Sequence, residues 1–389
     1  MIADIEKDVA EKSSKKIIFA FSIIGSALAG VGAILFISAN WQYILGIAKI
    51  ISLAAITFIA AYSGYYLEYE NKNYPKTGSS LLFLSAMLFG ALIFLTAQTY
   101  HVESAGRLHL LVLIWLLSII PYVYLFKSKA AAVLSIVLFF TWLAVFITTV
   151  HNPYNFEHAF PLLFCCTATA VFSFGKFHEF ITGFEDLAPV FEKISVFIIF
   201  LCLFIMTFGY FSKQPLFIAE FFPDGSLISK AVIHAIFLAP VFILLSSFIF
   251  NPSKIKHNDA EIILILCIFS YCLILNNTHL IERIFSVQST DYGYYGYEIP
   301  SFYRIFINIF FALSVLGLIL TGYLRKRMFY VNLGILWLVI FIILKYFDIF
   351  WKLLPRAAFF LAGGGLLIGL AWFFEHKRRE IKTEFKKSE

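Results

Sequence analysis

Asn40, Trp41, Lys49, Gln98, Tyr100, His101, Arg304, Asn308, Lys345, Asp348 and Arg356 fall at or near the ends of long hydrophobic stretches. Polar groups in or beside hydrocarbon are costly, so several at one depth require a reason. Arg304 has Asn308 one turn deeper on the same helical face. Its guanidinium would hold a phosphate or carboxylate in bidentate fashion, or else snorkel to the headgroups. Lys345 and Asp348 share a face at i,i+3 spacing. They would pair at a helix end, or Asp348 would reach Arg304 or Arg356 across helices. Gln98 and His101 are also i,i+3 neighbours beside Tyr100. The surroundings of His101 offer too few partners for a metal, and a polar cap is the plainer reading. Trp41 has the character of an interfacial anchor, with Asn40 as a cap or a donor to another helix. Lys49 lies about two turns into its stretch and would snorkel or pair with Asp348 or Glu103.

The elements that position these residues follow from composition. Of 389 residues 61% are hydrophobic, 14% are charged and 47 are Phe, with a mean hydropathy of +0.86. A soluble domain carries about 25% charged residues. In lipid only helices and closed barrels satisfy the backbone, and apolar runs of ~20 residues mean helices. The expected fold is an all-α, polytopic transmembrane bundle of about twelve spans. They lie near 17–38, 43–66, 79–99, 109–126, 130–150, 159–175, 194–212, 229–250, 260–276, 301–323, 329–346 and 355–374. Residues 1–16 form a short cytoplasmic segment, 17–374 one transmembrane domain and 375–389 a basic cytoplasmic tail. The longest loops are 176–193, 213–228 and 277–300.

Orientation follows from the basic residues. With the N-terminus inside, the inner segments hold Lys72, Lys127, Lys176, Lys193, Lys254, Arg325, Lys326, Arg327 and both basic termini. The outer loops and outer span ends hold Arg107, Lys213, Lys230, Arg283, Lys352 and Arg356, while Lys49, Arg304 and Lys345 lie within spans. Both termini are therefore expected in the cytoplasm, and the net charge of +6 reads as topology and not as nucleic-acid binding. The N-terminal residues mix Asp4, Glu6, Asp8 and Glu11 with lysines, unlike a signal peptide.

Small residues in Gly25–Gly32 and in Gly363–Gly369 are expected to be packing faces. The Tyr- and Gly-rich loop 291–300 would rest on the membrane surface or cover Arg304. Cys165, Cys166, Cys202, Cys267 and Cys272 all lie in apolar runs and read as small buried residues, neither ligands nor disulfides. All 24 acidic residues lie in tails, loops or span ends. That argues against an ion-coupling carboxylate in the bilayer. Paired membrane aspartates, zinc-protease, nucleophile-elbow, Walker and dinucleotide motifs are missing, and no cofactor or metal is implied.

Three segments together carry a resemblance: Gly32–Trp41, Gly90–His101, and Asn332 through Lys345-Tyr346-Phe347-Asp348 to Arg356 and the Gly triplet. On them the chain resembles the DUF2157 family of predicted bacterial inner-membrane proteins. The resemblance implies a multi-pass protein of the bacterial cytoplasmic membrane and no established activity. Three functional classes remain. One is a carrier- or flippase-like protein with an outward-facing polar chamber for an anionic or lipid-linked ligand. The others are a non-catalytic scaffold with a membrane-protein partner, and an enzyme acting on a lipid-linked substrate at the outer face.

Overall fold

The computed structural model describes residues 21–32, 35, 45–101, 107–150, 153–179, 181–208, 259–275, 288–289, 297–298, 301–350, 363–365, 367–369, 371–372 and 375. Asn40, Trp41, Arg356, the predicted span 229–250 and most of the loop 291–300 lie outside them. The chain divides into two compact units, Met1–Asn152 and Pro153–Glu389.

Unit 1 contains a short apolar helix α1 (Phe21–Gly32) and four long ones. These are α2 (Gly46–Tyr65), α3 (Pro75–Thr99), α4 (Leu108–Leu125) and α5 (Lys129–Val150). Helix α2 ends in one π turn, Tyr66–Glu70. Helix α2 packs on α3, and α4 on α5. The α2–α3 seam is built from Leu53, Ala60, Leu88 and Leu95. Glycine lets the backbones meet there: a Cβ on Gly64 would sit 2.9 Å from the Gly78 carbonyl oxygen. Deeper along α3, Trp115 lies flat over Gly90 and donates its indole N–H to Ala86 O at 3.1 Å.

Unit 2 contains α6 (Pro153–His178), α7 (Ala188–Met206), α8 (Asp259–Leu275), α9 (Ser301–Leu324) and α10 (Met328–Phe350). Between α8 and α9, Gln288 and Ser289 pair antiparallel with Glu298 and Tyr297, a two-residue ladder inside the loop predicted at 277–300. Helix α6 is the most buried long span and packs on α7 and α8, while α9 packs on α7, α8 and α10.

Among the described residues eight helices are long and apolar enough to cross a membrane, and two shorter apolar ones, Phe21–Gly32 and Ala260–Leu275, fall on predicted spans. The largest difference from expectation is at 176–193. Helix α6 runs on to His178 and α7 begins at Ala188, six residues before the predicted start at 194. Hydropathy ends a span at its first charges; here the charges are paired, so the helices continue. The glycine expectation also changes. Gly30 meets Leu84 and Gly363 meets Tyr346, but Gly25, Gly32, Gly364, Gly365 and Gly369 have no described atom within 4 Å of an added Cβ. The tight approaches are at Gly46, Gly64, Gly78, Gly90, Gly175, Gly322 and Gly334.

Candidate functional site

The largest polar assembly among the described residues sits at one end of unit 2. Two glycines bring its members together. At Gly175 an added Cβ would lie 2.9 Å from Phe191 Cβ and 3.1 Å from Glu192 N, so α6 and α7 converge and Glu192 comes beside Lys176. At Gly322 an added Cβ would lie 2.8 Å from Val331 N, which closes the α9–α10 hairpin. Its turn is sealed by Arg327 N–H donating to Gly322 O at 2.9 Å, with Lys326 in the left-handed region at φ 55°. Arg327 projects from this turn. The first turn of α8 supplies Glu261.

Each of two cations touches each of three carboxylates. Lys176 Nζ lies 2.8 Å from Glu261 Oε2, 3.0 Å from Glu192 Oε1 and 3.3 Å from Glu179 Oε1. Arg327 places Nη1 2.7 Å from Glu192 Oε2, Nε 3.1 Å from Glu261 Oε1 and Nη2 3.8 Å from Glu179 Oε1. The Glu261 contacts are close ion pairs and not aligned hydrogen bonds. Tyr330 OH donates to Glu192 Oε2 at 3.4 Å. Lys176, Glu192 and Glu261 side chains are only 2–3% exposed, against 25% for Glu179 and 36% for Arg327. The open edge of the network is therefore the Glu179–Arg327 side.

Two cations face three carboxylates, a formal charge of −1 with all five ionised. Burial pushes the Glu179 carboxyl above the usual carboxylate range, with Lys176 opposing and Glu192 adding to the rise. Burial also works against the Arg327 charge, but Glu261 and Glu192 outweigh it and hold its pKa above the ordinary guanidinium range. An apolar set of similar volume is often as stable as a buried ion network or more so. Stability alone is thus a poor reason for this one.

These residues were missed in sequence. Lys176 and Arg327 were counted as cytoplasmic-flank charges, and Glu192 and Glu261 as loop or span-end acids. Neither reading foresaw that these charges pair with one another, because the partners come from three separate connections. The only advance sign was a basic and an acidic residue together at the facing ends of α6 and α7, Lys176 with Glu179 and Glu192 with Lys193. Glu68 is a further omission. It lies in the π turn of α2, and its buried Oε2 has no hydrogen-bond partner among the described residues. Single π turns are frequent at functional positions.

The predicted outer set divides between the units. In unit 1, Lys49 is buried at 6% exposure, while Gln98, Tyr100 and His101 are exposed at the end of α3. His101 takes φ 55° and its N–H donates to Gln98 O at 3.2 Å. Gly46 meets Thr99, so the helix ends carrying Lys49 and Gln98 lie together. In unit 2, Arg304 is exposed and Asn308 Nδ2 donates to Arg304 O at 2.6 Å, a contact to the backbone and not to the guanidinium. Lys345 Nζ donates to Thr207 O at 2.7 Å, over the rings of Phe208 and Phe341. It thereby caps the C-terminus of α7, where the helix dipole favours a cation. Asp348 is in α10, its side chain outside what the structure describes. Among the described residues no group of His, Cys, Asp or Glu forms a metal site.

No curated protein and no solved structure matches the chain. The third segment of the resemblance, 332–356, lies beyond the stretch that a family model covers, and so does the whole charge network. The chain is a multi-pass membrane protein, and its residues 2–132, within unit 1, match the model of the family described as "Predicted membrane protein (DUF2157)".

Proposed function

We propose that the protein is a carrier-like protein of the bacterial cytoplasmic membrane, with both termini in the cytoplasm, and that the charge network is its inner gate in the closed state. The buried network carries this reading. Its members come from three connections that the charge pattern assigns to the cytoplasmic side. Paired charges that can separate and re-pair suit an element with two arrangements. Arg304 begins α9 and Arg327 follows its end, so roughly 30 Å of helix divides the outer cation from the gate. The exposed guanidinium of Arg304 suits an anionic or lipid-linked ligand.

Ser173, fully buried one turn above Lys176, reports on the gate. With the native cysteines replaced by alanine, a Ser173→Cys variant is labelled with a membrane-impermeant maleimide in inverted vesicles. The gate reading expects slow labelling that rises several-fold when Arg327 is replaced by leucine in a chain that stays folded. Equal labelling with and without Arg327 sinks it. A scaffold is the second reading. It is favoured by Lys345 and Asn308, whose polar heads are bonded to backbone within their own unit. A scaffold expects unchanged labelling and co-purification with a membrane-protein partner.

A further inference from the structure

Four of the five cysteines are buried within unit 2: Cys165 and Cys166 on α6, Cys202 on α7 and Cys272 on α8. Cys272 and Cys165, 107 residues apart in sequence, place their sulfurs 3.5 Å from one another with no exposure at either residue. The same two helices meet again at Lys176 and Glu261, 2.8 Å apart. Lys176 is eleven residues beyond Cys165, and Cys272 is eleven beyond Glu261. The helices are therefore antiparallel, and the two contacts are rungs of one interface about 16 Å apart. The thiol contact is thus fixed by helix packing as well as by side-chain torsion. In the topology read from the charges both cysteines lie in the outer halves of their spans.

We propose that Cys165 and Cys272 are a redox-active dithiol, closed inside the bilayer to a disulfide that staples α6 to α8 by an apolar two-electron oxidant. A disulfide needs its sulfurs about 2.05 Å apart, so the pair must close by roughly 1.5 Å. Each thiol gives up its proton and the pair gives up two electrons as the S–S bond forms. A quinone receives both protons and both electrons to become a hydroquinone; dioxygen receives them to become hydrogen peroxide. The surroundings select this class of oxidant. The sulfurs are sealed among apolar side chains, where charged oxidants do not enter. Buried thiols react slowly, so closure takes hours and a dithiol reductant reverses it. The disulfide holds together the interface that carries Lys176 and Glu261.

The test uses full-length protein in native membranes with a protease site inserted at Gly183, in the exposed connection between α6 and α7. Cleavage separates the Cys165 fragment from the Cys272 fragment. After treatment with a short-chain benzoquinone under argon, or with dioxygen alone, the fragments are expected to migrate together without reductant and apart with dithiothreitol. The two arms identify which oxidant acts. Cys165→Ser and Cys272→Ser each reduce the joined fraction to background, while Cys202→Ser and Cys267→Ser leave it unchanged. Peptide mass spectrometry of the uncut wild type checks the linkage should the insertion disturb folding. Fragments that part in both arms overturn the proposal, and so does a linkage through Cys166 or Cys202.

Discussion

Replacing Lys176 with methionine isolates the energetics of the charge network. In the wild type two cations serve three carboxylates; without Lys176, Glu179, Glu192 and Glu261 share Arg327 alone. Glu192 and Glu261 are each 2% exposed, so water cannot take over from the lost ammonium. Removing one partner of a buried pair costs about 3–5 kcal/mol. At roughly 2–4 °C per kcal/mol for a unit of this size, the midpoint falls by about 6–20 °C. Removing Glu261 as well leaves one cation facing two carboxylates, the original excess of one negative charge. The double variant Lys176→Met/Glu261→Leu is therefore expected to recover about 2 kcal/mol or more over the sum of the singles. The assay is thermal unfolding in detergent read with a thiol-reactive fluorophore. Cys165, Cys166, Cys202 and Cys272 are its buried targets, and exposed Cys267 is replaced by alanine to lower the background. A Lys176→Met midpoint within about 2 °C of the wild type refutes the reasoning, and so does strict additivity in the double variant.

Further outcomes follow from individual contacts. Gly90→Ala would put a Cβ 2.1 Å from Trp115 Cε2; an overpacking cost of about 1–3 kcal/mol and altered Trp115 fluorescence are expected. Lys345→Met removes the donor to Thr207 O and is expected to cost about 1.5–3 kcal/mol, with faster hydrogen exchange at the end of α7. Lys326→Gly relieves a left-handed non-glycine residue and is expected to stabilise by up to ~1 kcal/mol in thermal unfolding. The raised Glu179 carboxyl makes a signed pH prediction. A carboxyl whose folded pKa exceeds its unfolded value favours folding in acid, and that contribution is lost as pH rises from about 4.5 through the folded value. Relative to Glu179→Gln, the wild type is therefore expected to lose stability across that rise; parallel pH profiles would count against it.

Long apolar runs made most helices legible: α4, α5, α8 and α9 begin and end within one residue of the expected spans. Periodicity and hydropathy are local, and the bilayer demands that such runs be helical. The start of α7 was not legible, because Glu192 and Lys193 look like a loop until Glu192 is known to face Lys176 and Arg327. The network was illegible for the same reason. Glu192 lies 135 residues from Arg327, and no local pattern reports a pairing of that range. Of the outer set, the sequence placed Arg304 and Asn308 on one helical face, but Asn308 bonds to the Arg304 backbone. It proposed Asp348 as the partner of Lys345 and had no means of finding the Thr207 carbonyl.

Among the described residues four non-glycine ones take a left-handed backbone: Lys72, Lys127, Lys326 and His101. The three lysines lie at connections that the charge pattern assigns to the cytoplasm, and the histidine at an outer one. Glycine would relax each of these three turns, yet it carries no charge that could retain a loop on the cytoplasmic side during insertion. If those connections are cytoplasmic, a lysine there would accept a small conformational penalty in the finished protein and in return guide the direction in which neighbouring helices are threaded. Substitutions that improve these turns are therefore expected to raise the melting point and, when combined, to yield chains inserted the wrong way round. Thermostability and correct biogenesis would then be opposed at the same three residues.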